Sequence, residues 1–213
     1  MKYQAVIFDL DGVITSSDQY HYLAWKMIAD KIGVAFDQTI NNRLRGVSRM
    51  ESLNIILENY PKTLSDREKL AYTEEKNTLY RKLLRDNMSE RDLSPEVRET
   101  MDRLRDAGLR LAIGSSSKNT RLILNRLGLE DYFDAISDGT NIQRSKPDPE
   151  VFLKASAFLG IAPEVCLVVE DAEAGIRAAL AAHMDCAAIG DGTKYGLAQY
   201  SLGTFSDLLG IAL

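Results

Sequence analysis

The sequence predicts an α/β protein in which a parallel sheet is interrupted, after its first strand, by a helical insertion. Short apolar runs alternate with longer amphipathic segments over most of the 213 residues, which is the pattern of a parallel sheet with covering helices. Between residues 19 and 91 the alternation stops, and only helical periodicity with many charges is found. A single crossover between two strands does not need so long a segment, so we expect an inserted domain.

The first strand is predicted at residues 5–8, and four more apolar runs follow the insertion. Apolar residues occupy consecutive positions in most of these runs, as expected for strands that are covered on both faces. The later strands are predicted at residues 109–113, 135–136, 166–169 and 186–189. The segments between them predict helices at 96–107, 119–127, 149–159 and 174–182, followed by a last helix at 204–211. Glycines just past three of these helices, Gly108, Gly128 and Gly160, fit helix C-caps.

Apolar stripes at helical spacing within the insertion, such as Leu23, Met27 and Ile28, indicate its helices. We therefore expect two domains. Residues 1–15 and 93–213 together form the sheet domain, and residues 16–92 form the helical domain.

Composition limits the class of protein. The chain is 45% hydrophobic and 27% charged with a net charge of -5, which argues against a nucleic-acid partner because such partners need a basic face. No apolar stretch approaches the roughly 20 residues needed to span a bilayer, so we expect no membrane partner. Cys166 and Cys186 lie in predicted strands and are expected to be packing residues, as in a reducing compartment. We expect a cytoplasmic monomer.

Polar residues that could carry chemistry follow the predicted strands. Ligands of an open parallel sheet bind beyond the carboxyl ends of its strands. The residues found there are Asp9 and Asp11 after the first strand, Ser115 after the second, Lys146 before the fourth, and Glu170 and Asp171 after it. Several carboxylates this close together need a cation, and an all-oxygen set with few fixed ligands favours Mg²⁺.

A carboxylate can attack phosphorus and form an aspartyl phosphate, and Asp9 stands directly at a strand end for that role. Asp11, past a turn that Gly12 allows, is a candidate general acid/base. Ser115 could bind the phosphoryl oxygens, and Lys146 could offset their charge.

Each of these residues also has a structural interpretation. Asp9 could be a turn residue, Ser115 a helix N-cap and Lys146 a solvated lysine, and Glu170-Asp171 could cap the following helix. Asp148 is assigned to capping because it precedes the helix that Pro149 opens. The occurrence of all the others at successive strand ends favours the catalytic interpretation.

The segments Phe8-Asp9-Leu10-Asp11-Gly12-Val13, Ser115, Lys146-Pro147-Asp148-Pro149 and Glu170-Asp171 resemble, in order, the four motifs of the haloacid dehalogenase-like superfamily. This resemblance implies a Rossmann-like core and a mobile helical cap. It also implies one Mg²⁺ per chain, bound by Asp9, the main-chain carbonyl of Asp11 and Asp171, with Glu170 close by.

Two further clusters are candidates for binding a second phosphate. Arg49 could grip a phosphate bidentately, and Ser116, Ser117, Lys118 and Asn119 precede a predicted helix, which is a natural anion site. Two phosphate-binding groups indicate a bisphosphate intermediate that turns over between two orientations.

A wider resemblance is carried by the segments 11–15, Tyr20-His21, Ala24-Trp25-Lys26, Gly46-Val47-Ser48-Arg49, Glu51-Ser52-Leu53 and Lys76-Asn77. In these segments the sequence is similar to the β-phosphoglucomutase family, which interconverts β-D-glucose 1-phosphate and glucose 6-phosphate through β-glucose 1,6-bisphosphate, the priming intermediate. Carried over, Asp9 is the nucleophile, Asp11 is the general acid/base, and Arg49 with Ser117, Lys118 and Asn119 holds the phosphate that is not transferred. His21 and Lys76 couple cap closure to substrate binding. The substrate-binding set is then His21, Trp25, Arg45, Gly46, Val47, Arg49, Ser52, Lys76, Ser116, Ser117, Lys118 and Asn119.

Other interpretations stay open at this point. Arg45 and Arg49 could form a solvated loop face, Lys118 could be a surface residue, and His21 could be a packed histidine. A sugar-phosphate phosphatase with the same nucleophile is the nearest alternative function. A dehalogenase gives Asp11 no role, and a phospho-accepting signalling receiver domain would not carry a helical insertion.

Overall fold

The computed structural model describes every residue except Met1, Arg45 and Gly46. The chain forms two compact units. Met1–Ser16 together with Ser89–Leu213 make the core unit, and Ser17–Met88 make the helical unit. The sequence predicts that the chain returns from the helical domain to the sheet domain after residue 92. The structure places this return after Met88, because the Thr15 hydroxyl donates to the Asp92 carbonyl at 3.0 Å within the core unit.

Over its described residues, the core unit forms one sheet of six parallel strands, which confirms the predicted fold class. The strands are β1 (Ala5–Phe8), β2 (Arg110–Gly114), β3 (Ala135–Ser137), β4 (Cys166–Glu170), β5 (Asp185–Ala188) and β6 (Tyr200–Ser201). Their order is β3-β2-β1-β4-β5-β6. Central strand β1 pairs with β2 and β4, so that Phe8 is level with Ile113 and Val169. The residues that follow β1 and β4 therefore leave the same edge of the sheet.

The described residues of the helical unit form four helices: α1 (Asp18–Ile32), α2 (Gln38–Asn42), α3 (Arg49–Ile56) and α4 (Asp66–Asn87). Local capping explains where they begin. Ser65 and Glu68 form a reciprocal capping box at α4, and the Ser48 hydroxyl accepts from the Glu51 N–H at α3. Helix α1 ends at Gly33, whose φ of +83° is easy for glycine.

The helices of the core unit are α5 (Pro95–Asp106), α6 (Thr120–Arg126), α7 (Glu150–Leu159), α8 (Glu173–Ala181) and α9 (Leu208–Ala212). Apolar residues of β1, β4, β5, α7 and α8 form a fully buried cluster, as the consecutive apolar runs predict. Cys166 and Cys186 are free thiols inside it, so the prediction that they are packing residues is confirmed. Among the described helices, none has the length and apolar character that crossing a membrane requires.

Candidate active site

The loop after β1 places Asp9 at the carboxyl edge of the sheet. Its backbone N–H donates to the Val169 carbonyl at 3.0 Å, which extends the strand pairing by one residue, and its side chain is buried. Gly12 then turns the chain with a φ of +91°, and its N–H donates to the Thr15 carbonyl at 2.7 Å. An ideal Cβ at Gly12 would lie 2.1 Å from Oδ2 of Asp171. Glycine is therefore required here both for the turn and for the close approach of a carboxylate.

Three carboxylates meet beyond β1 and β4. Within the described part of the chain, Asp9, Glu170 and Asp171 each offer an oxygen within 4.8 Å of the others. A donor set made only of carboxylate oxygens suits a hard divalent cation such as Mg²⁺. Asp11 is half-buried, and its backbone forms an isolated bridge with Thr15.

Lys146 lies between two of these carboxylates. Its Nζ is 2.5 Å from Oδ1 of Asp9 and 2.6 Å from Oε1 of Glu170, and its side chain is only 8% exposed. The Phe152 ring covers the ammonium group at 4.7 Å from its centroid. The solvated-lysine interpretation of Lys146 is therefore wrong.

Burial and opposite charges set the protonation of this pair. Burial opposes the charge on Lys146, but Asp9 and Glu170 more than offset it and raise the pKa of the lysine. Burial raises the pKa of Asp9 well above its usual value. Lys146 counteracts this rise, whereas Glu170 and Asp171 add to it. An ionised Asp9 thus depends on cations beside it.

Glu170 is fixed by both of its oxygens. Oε1 faces Lys146, while Oε2 accepts from the backbone N–H groups of Asp171 and Ala172 at 2.8 and 2.9 Å. Both donors precede α8, whose N-cap residue Ala172 makes no side-chain capping bond, so Glu170 holds the turn before the helix and the capping interpretation is wrong for it. The side chain fits only because residue 175 is glycine, since an ideal Cβ there would lie 1.8 Å from Oε1.

Ser115 follows the neighbouring strand β2 at the same edge. It is buried, and its hydroxyl accepts from the Ser117 N–H at 3.2 Å, as a turn residue does. The Ser117 hydroxyl in turn accepts from the Asn119 N–H at 3.1 Å. Ser116 Oγ accepts from the backbone N–H of Lys146 at 3.4 Å, which joins this loop to the loop that carries the lysine. Lys118 is exposed.

Two residues that support the loop 115–119, Gly139 and Asp138, were not predicted as site residues from the sequence. Gly139 donates its N–H to the Ser117 carbonyl at 3.1 Å, and an ideal Cβ on it would lie 2.4 Å from the Ser116 carbonyl oxygen. The buried Asp138 carboxylate holds the next turn by accepting from the Thr140 N–H at 2.9 Å. Their position after β3, a strand end without an assigned residue, was the signal for both. Asp148 accepts from the Glu150 N–H at 3.0 Å at the start of α7, so its capping assignment is confirmed.

Within the helical unit, buried Lys76 pairs with half-buried His21. Lys76 Nζ lies 2.7 Å from Nδ1 of His21, and the lysine is 2% exposed. Burial, together with the positive charges of Lys76 and Arg49, lowers the pKa of His21 well below its usual value. A neutral imidazole can accept the lysine hydrogen bond through Nδ1. Trp25 packs in the apolar core of this unit, with its ring 5.2 Å from Lys76 Nζ.

The remaining residues expected from the sequence lie at or near α3. Arg49 is half-buried, and burial lowers its pKa although Glu74 counteracts the effect. Ser52 is buried and donates its hydroxyl to the Ser48 carbonyl at 3.0 Å. Val47 is exposed. The predicted substrate residues Arg45 and Gly46 lie outside the described residues.

Comparisons with known proteins identify the family of the chain. A family model for haloacid dehalogenase-like hydrolases matches residues 3–183. A β-phosphoglucomutase of Bacillus subtilis is 42% identical over 207 residues, covering 96% of this chain and 91% of that protein. A phosphorylated carbohydrates phosphatase of Thermotoga maritima is 31% identical over 85% of this chain and 82% of its own length.

A solved structure extends the similarity to the fold. The crystal structure of a β-phosphoglucomutase from Clostridium difficile superposes with a TM-score of 0.88 at 38% identity, covering 97% of this chain and 93% of that one. The predicted resemblance is thereby confirmed. The buried carboxylates after β1 and β4, with a lysine between them, are set in a chain that belongs to the haloacid dehalogenase-like hydrolases.

Proposed function

We propose that this protein is a phosphoryl-transfer mutase that interconverts β-D-glucose 1-phosphate and glucose 6-phosphate. One observation carries the proposal: each unit has its own buried or half-buried cations, Lys146 in the core unit and Arg49 with Lys76 in the helical unit. A sugar bisphosphate needs two phosphate-binding groups, whereas simple hydrolysis of a monophosphate needs one. The similarity to a relative named β-phosphoglucomutase supports this choice.

The carboxylates of Asp9, Glu170 and Asp171 are the residues that would hold Mg²⁺, and the donor set fits it. As the family resemblance implies, the main-chain carbonyl of Asp11 completes the protein ligands. When bound, the ion supplies positive charge beside Asp9 and the phosphoryl oxygens. Each chain would hold one such ion.

The chemistry of the chain begins with Asp9 phosphorylated, primed by β-glucose 1,6-bisphosphate. Asp11 takes the proton of the sugar 6-hydroxyl as its oxygen attacks phosphorus, and the bond between phosphorus and the Asp9 oxygen breaks. The bisphosphate then turns over. Asp9 attacks the phosphorus on the carbon 1 oxygen, and Asp11 returns its proton to that leaving oxygen. Glucose 6-phosphate departs, and Asp9 is phosphorylated again.

The other core residues bind and orient the phosphoryl group. We assign hydrogen bonding of the phosphoryl oxygens to Ser115 and neutralisation of their charge to Lys146, whose ammonium group already faces Asp9. Ser116, Ser117, Lys118 and Asn119, together with Arg49, would bind the phosphate that is not transferred. His21, Trp25, Val47, Ser52 and Lys76 belong to the helical unit, which we propose acts as a lid that favours the sugar hydroxyl over water.

The proposal also covers the substrate class, the oligomeric state and the cellular location of the enzyme. A small phosphosugar is its substrate, and we propose that it works as a monomer in the cytoplasm. The reduced, buried cysteines support a reducing compartment.

The test supplies the enzyme with β-glucose 1-phosphate, Mg²⁺ and a trace of glucose 1,6-bisphosphate. We expect glucose 6-phosphate to accumulate without stoichiometric free phosphate. Because one relative is a phosphorylated carbohydrates phosphatase, hydrolysis is the competing activity. Production of only glucose and free phosphate would assign the chain to that activity instead.

A further inference from the structure

Tyr80 on α4 contacts three residues of the helical unit with two different parts of its side chain. It is fully buried. Its ring stacks on His21, with centroids 4.1 Å apart, and covers Lys76, whose Nζ lies 4.6 Å from the ring centroid. Its hydroxyl is 2.8 Å from Oγ of Ser17. The ring and the hydroxyl therefore reach opposite ends of one small network.

The ring side of this network fixes the position of a charge. A cation over an aromatic face is attracted by the ring quadrupole, and the attraction is stronger at a buried site such as this one. His21 stacks on the same ring, which orients its Nδ1 toward Lys76. Loss of the ring would remove the stacking partner of the histidine and one aromatic face of the lysine.

The hydroxyl side reaches the point where the chain enters the helical unit. Ser17 is the first residue of that unit and is fully buried. Two residues earlier, Thr15 is held within the core unit by its hydrogen bond to Asp92. The segment 15–17, where the chain passes from the core unit into the helical unit, thus has a hydroxyl hydrogen bond at each end, and Tyr80 is a partner at its helical end.

We propose that Tyr80 is a positioning residue that links the segment 15–17, through Ser17, to the Lys76–His21 pair. This inference rests on the proposed function, because its effect on turnover assumes that Lys76 and His21 help the lid to favour sugar over water. A change of the backbone at Ser17 moves the tyrosine hydroxyl. The rigid ring transmits that movement to the lysine and the histidine.

The test compares Tyr80→Phe, which keeps the ring, with Tyr80→Leu, which removes both contacts, and with Ser17→Ala. The readout is the ratio of glucose 6-phosphate formed to free phosphate released, together with KM and kcat for β-glucose 1-phosphate. Tyr72→Phe, on the same helix, is the matched control, and phosphorylation of Asp9 by acetyl phosphate reports on the core unit alone.

We expect Tyr80→Phe and Ser17→Ala each to lower this ratio about threefold to tenfold, the loss equivalent to one neutral hydrogen bond. The double variant should be no worse than either single one, because both remove the same contact. Tyr72→Phe and the acetyl phosphate reaction should be unchanged. An unchanged ratio in Tyr80→Phe, or fully additive losses in the double variant, would overturn the inference.

A second readout does not depend on the substrate. Nitrogen NMR of the His21 ring and the Lys76 ammonium group should show altered shifts in Tyr80→Leu and nearly native shifts in Tyr80→Phe. Native shifts in a folded Tyr80→Leu variant would refute the positioning role whatever the reaction is. Altered shifts in an enzyme that forms no glucose 6-phosphate would instead refute the proposed function and leave the positioning role intact.

Discussion

Gly175 in α8 leaves the space that Glu170 occupies, and a single methyl group there should disable the site. In Gly175→Ala the new Cβ would lie 1.8 Å from Oε1 and 2.0 Å from Cδ of Glu170, which no contact allows. Glu170 is 1% exposed and is held by Lys146 and two backbone N–H groups, so moving its side chain breaks these contacts. The carboxylate must leave its hydrogen bonds, or the helix must shift.

The expected loss follows from the contacts. Each backbone hydrogen bond to a charged carboxylate contributes about 1.5–3 kcal/mol, so losing two costs about 3–6 kcal/mol. Alanine is favoured over glycine inside a helix by about 1 kcal/mol, which offsets part of that loss. We therefore expect the free energy of unfolding to fall by about 2–5 kcal/mol. Displacement of Glu170, one of the carboxylates proposed to hold Mg²⁺, should also weaken Mg²⁺ binding, by at least the roughly 10–100-fold that loss of an outer-shell partner costs.

Urea unfolding measures the first effect, and activity as a function of Mg²⁺ concentration measures the second. Gly210→Ala is the matched control, because Gly210 also lies in a helix but an ideal Cβ there would meet nothing within 4 Å. That variant should gain up to about 1 kcal/mol and keep the native Mg²⁺ dependence. If Gly175→Ala behaved like Gly210→Ala in both assays, the steric reasoning would be refuted.

Three further substitutions test separate parts of the structure. Lys146→Met should lower kcat/KM about 100–1,000-fold, because it removes the charge that faces Asp9. Lys154→Met, on the surface of α7, serves as the control. Equal activities of the two variants in a steady-state assay would contradict the role of Lys146. His183→Gly should raise the free energy of unfolding by about 0.5–1 kcal/mol, because His183 has a φ of +59° just after α8. Glycine avoids the strain of this conformation, although it loses more chain entropy on folding. A lower free energy of unfolding for the variant, measured in urea, would count against this prediction. For Glu150, hydrogen bonds from Lys154 and from the Arg144 and Gln143 N–H groups lower the pKa to about 2 from its ordinary 4.5. Its stabilising effect is therefore present above pH 4.5 and lost as the pH falls toward 2, so the stability difference between wild type and Glu150→Gln should shrink between pH 7 and pH 3. A difference that grows at low pH would show that the sign is wrong.

Most of the fold could be predicted from the sequence, because strands covered on both faces have consecutive apolar residues. The first strand, residues 5–8, has its predicted bounds in the structure, and the other four runs are strands whose ends differ from the predicted ones by at most one residue. Strand β6 has no such signal, since Tyr200 and Ser201 form no apolar run and become a strand only through pairing with Ala187 and Ala188. Its existence depends on tertiary contact alone.

For the site, the strand ends indicated which side chains share one edge, because parallel strands have a fixed direction. The contacts of the Glu170 side chain could not be predicted in this way, since they depend on space left by Gly175 in the first turn of α8. A glycine inside a helix costs stability, and that cost was the available signal. Tyr80 gave no comparable signal, because Ser17 is 63 residues away and their contact depends on how α1 and α4 pack.

The most direct test of phosphoryl transfer through Asp9 is to follow a labelled phosphoryl group. The enzyme is mixed with ³²P-labelled glucose 1,6-bisphosphate and Mg²⁺, quenched in acid and digested, and a parallel sample is chased with unlabelled β-glucose 1-phosphate before the quench. We expect the label on the peptide that contains Asp9, its transfer into sugar phosphate during the chase, and no labelling of Asp9→Asn. Label on another residue, or a chase that releases only inorganic phosphate, would contradict the proposed mutase chemistry.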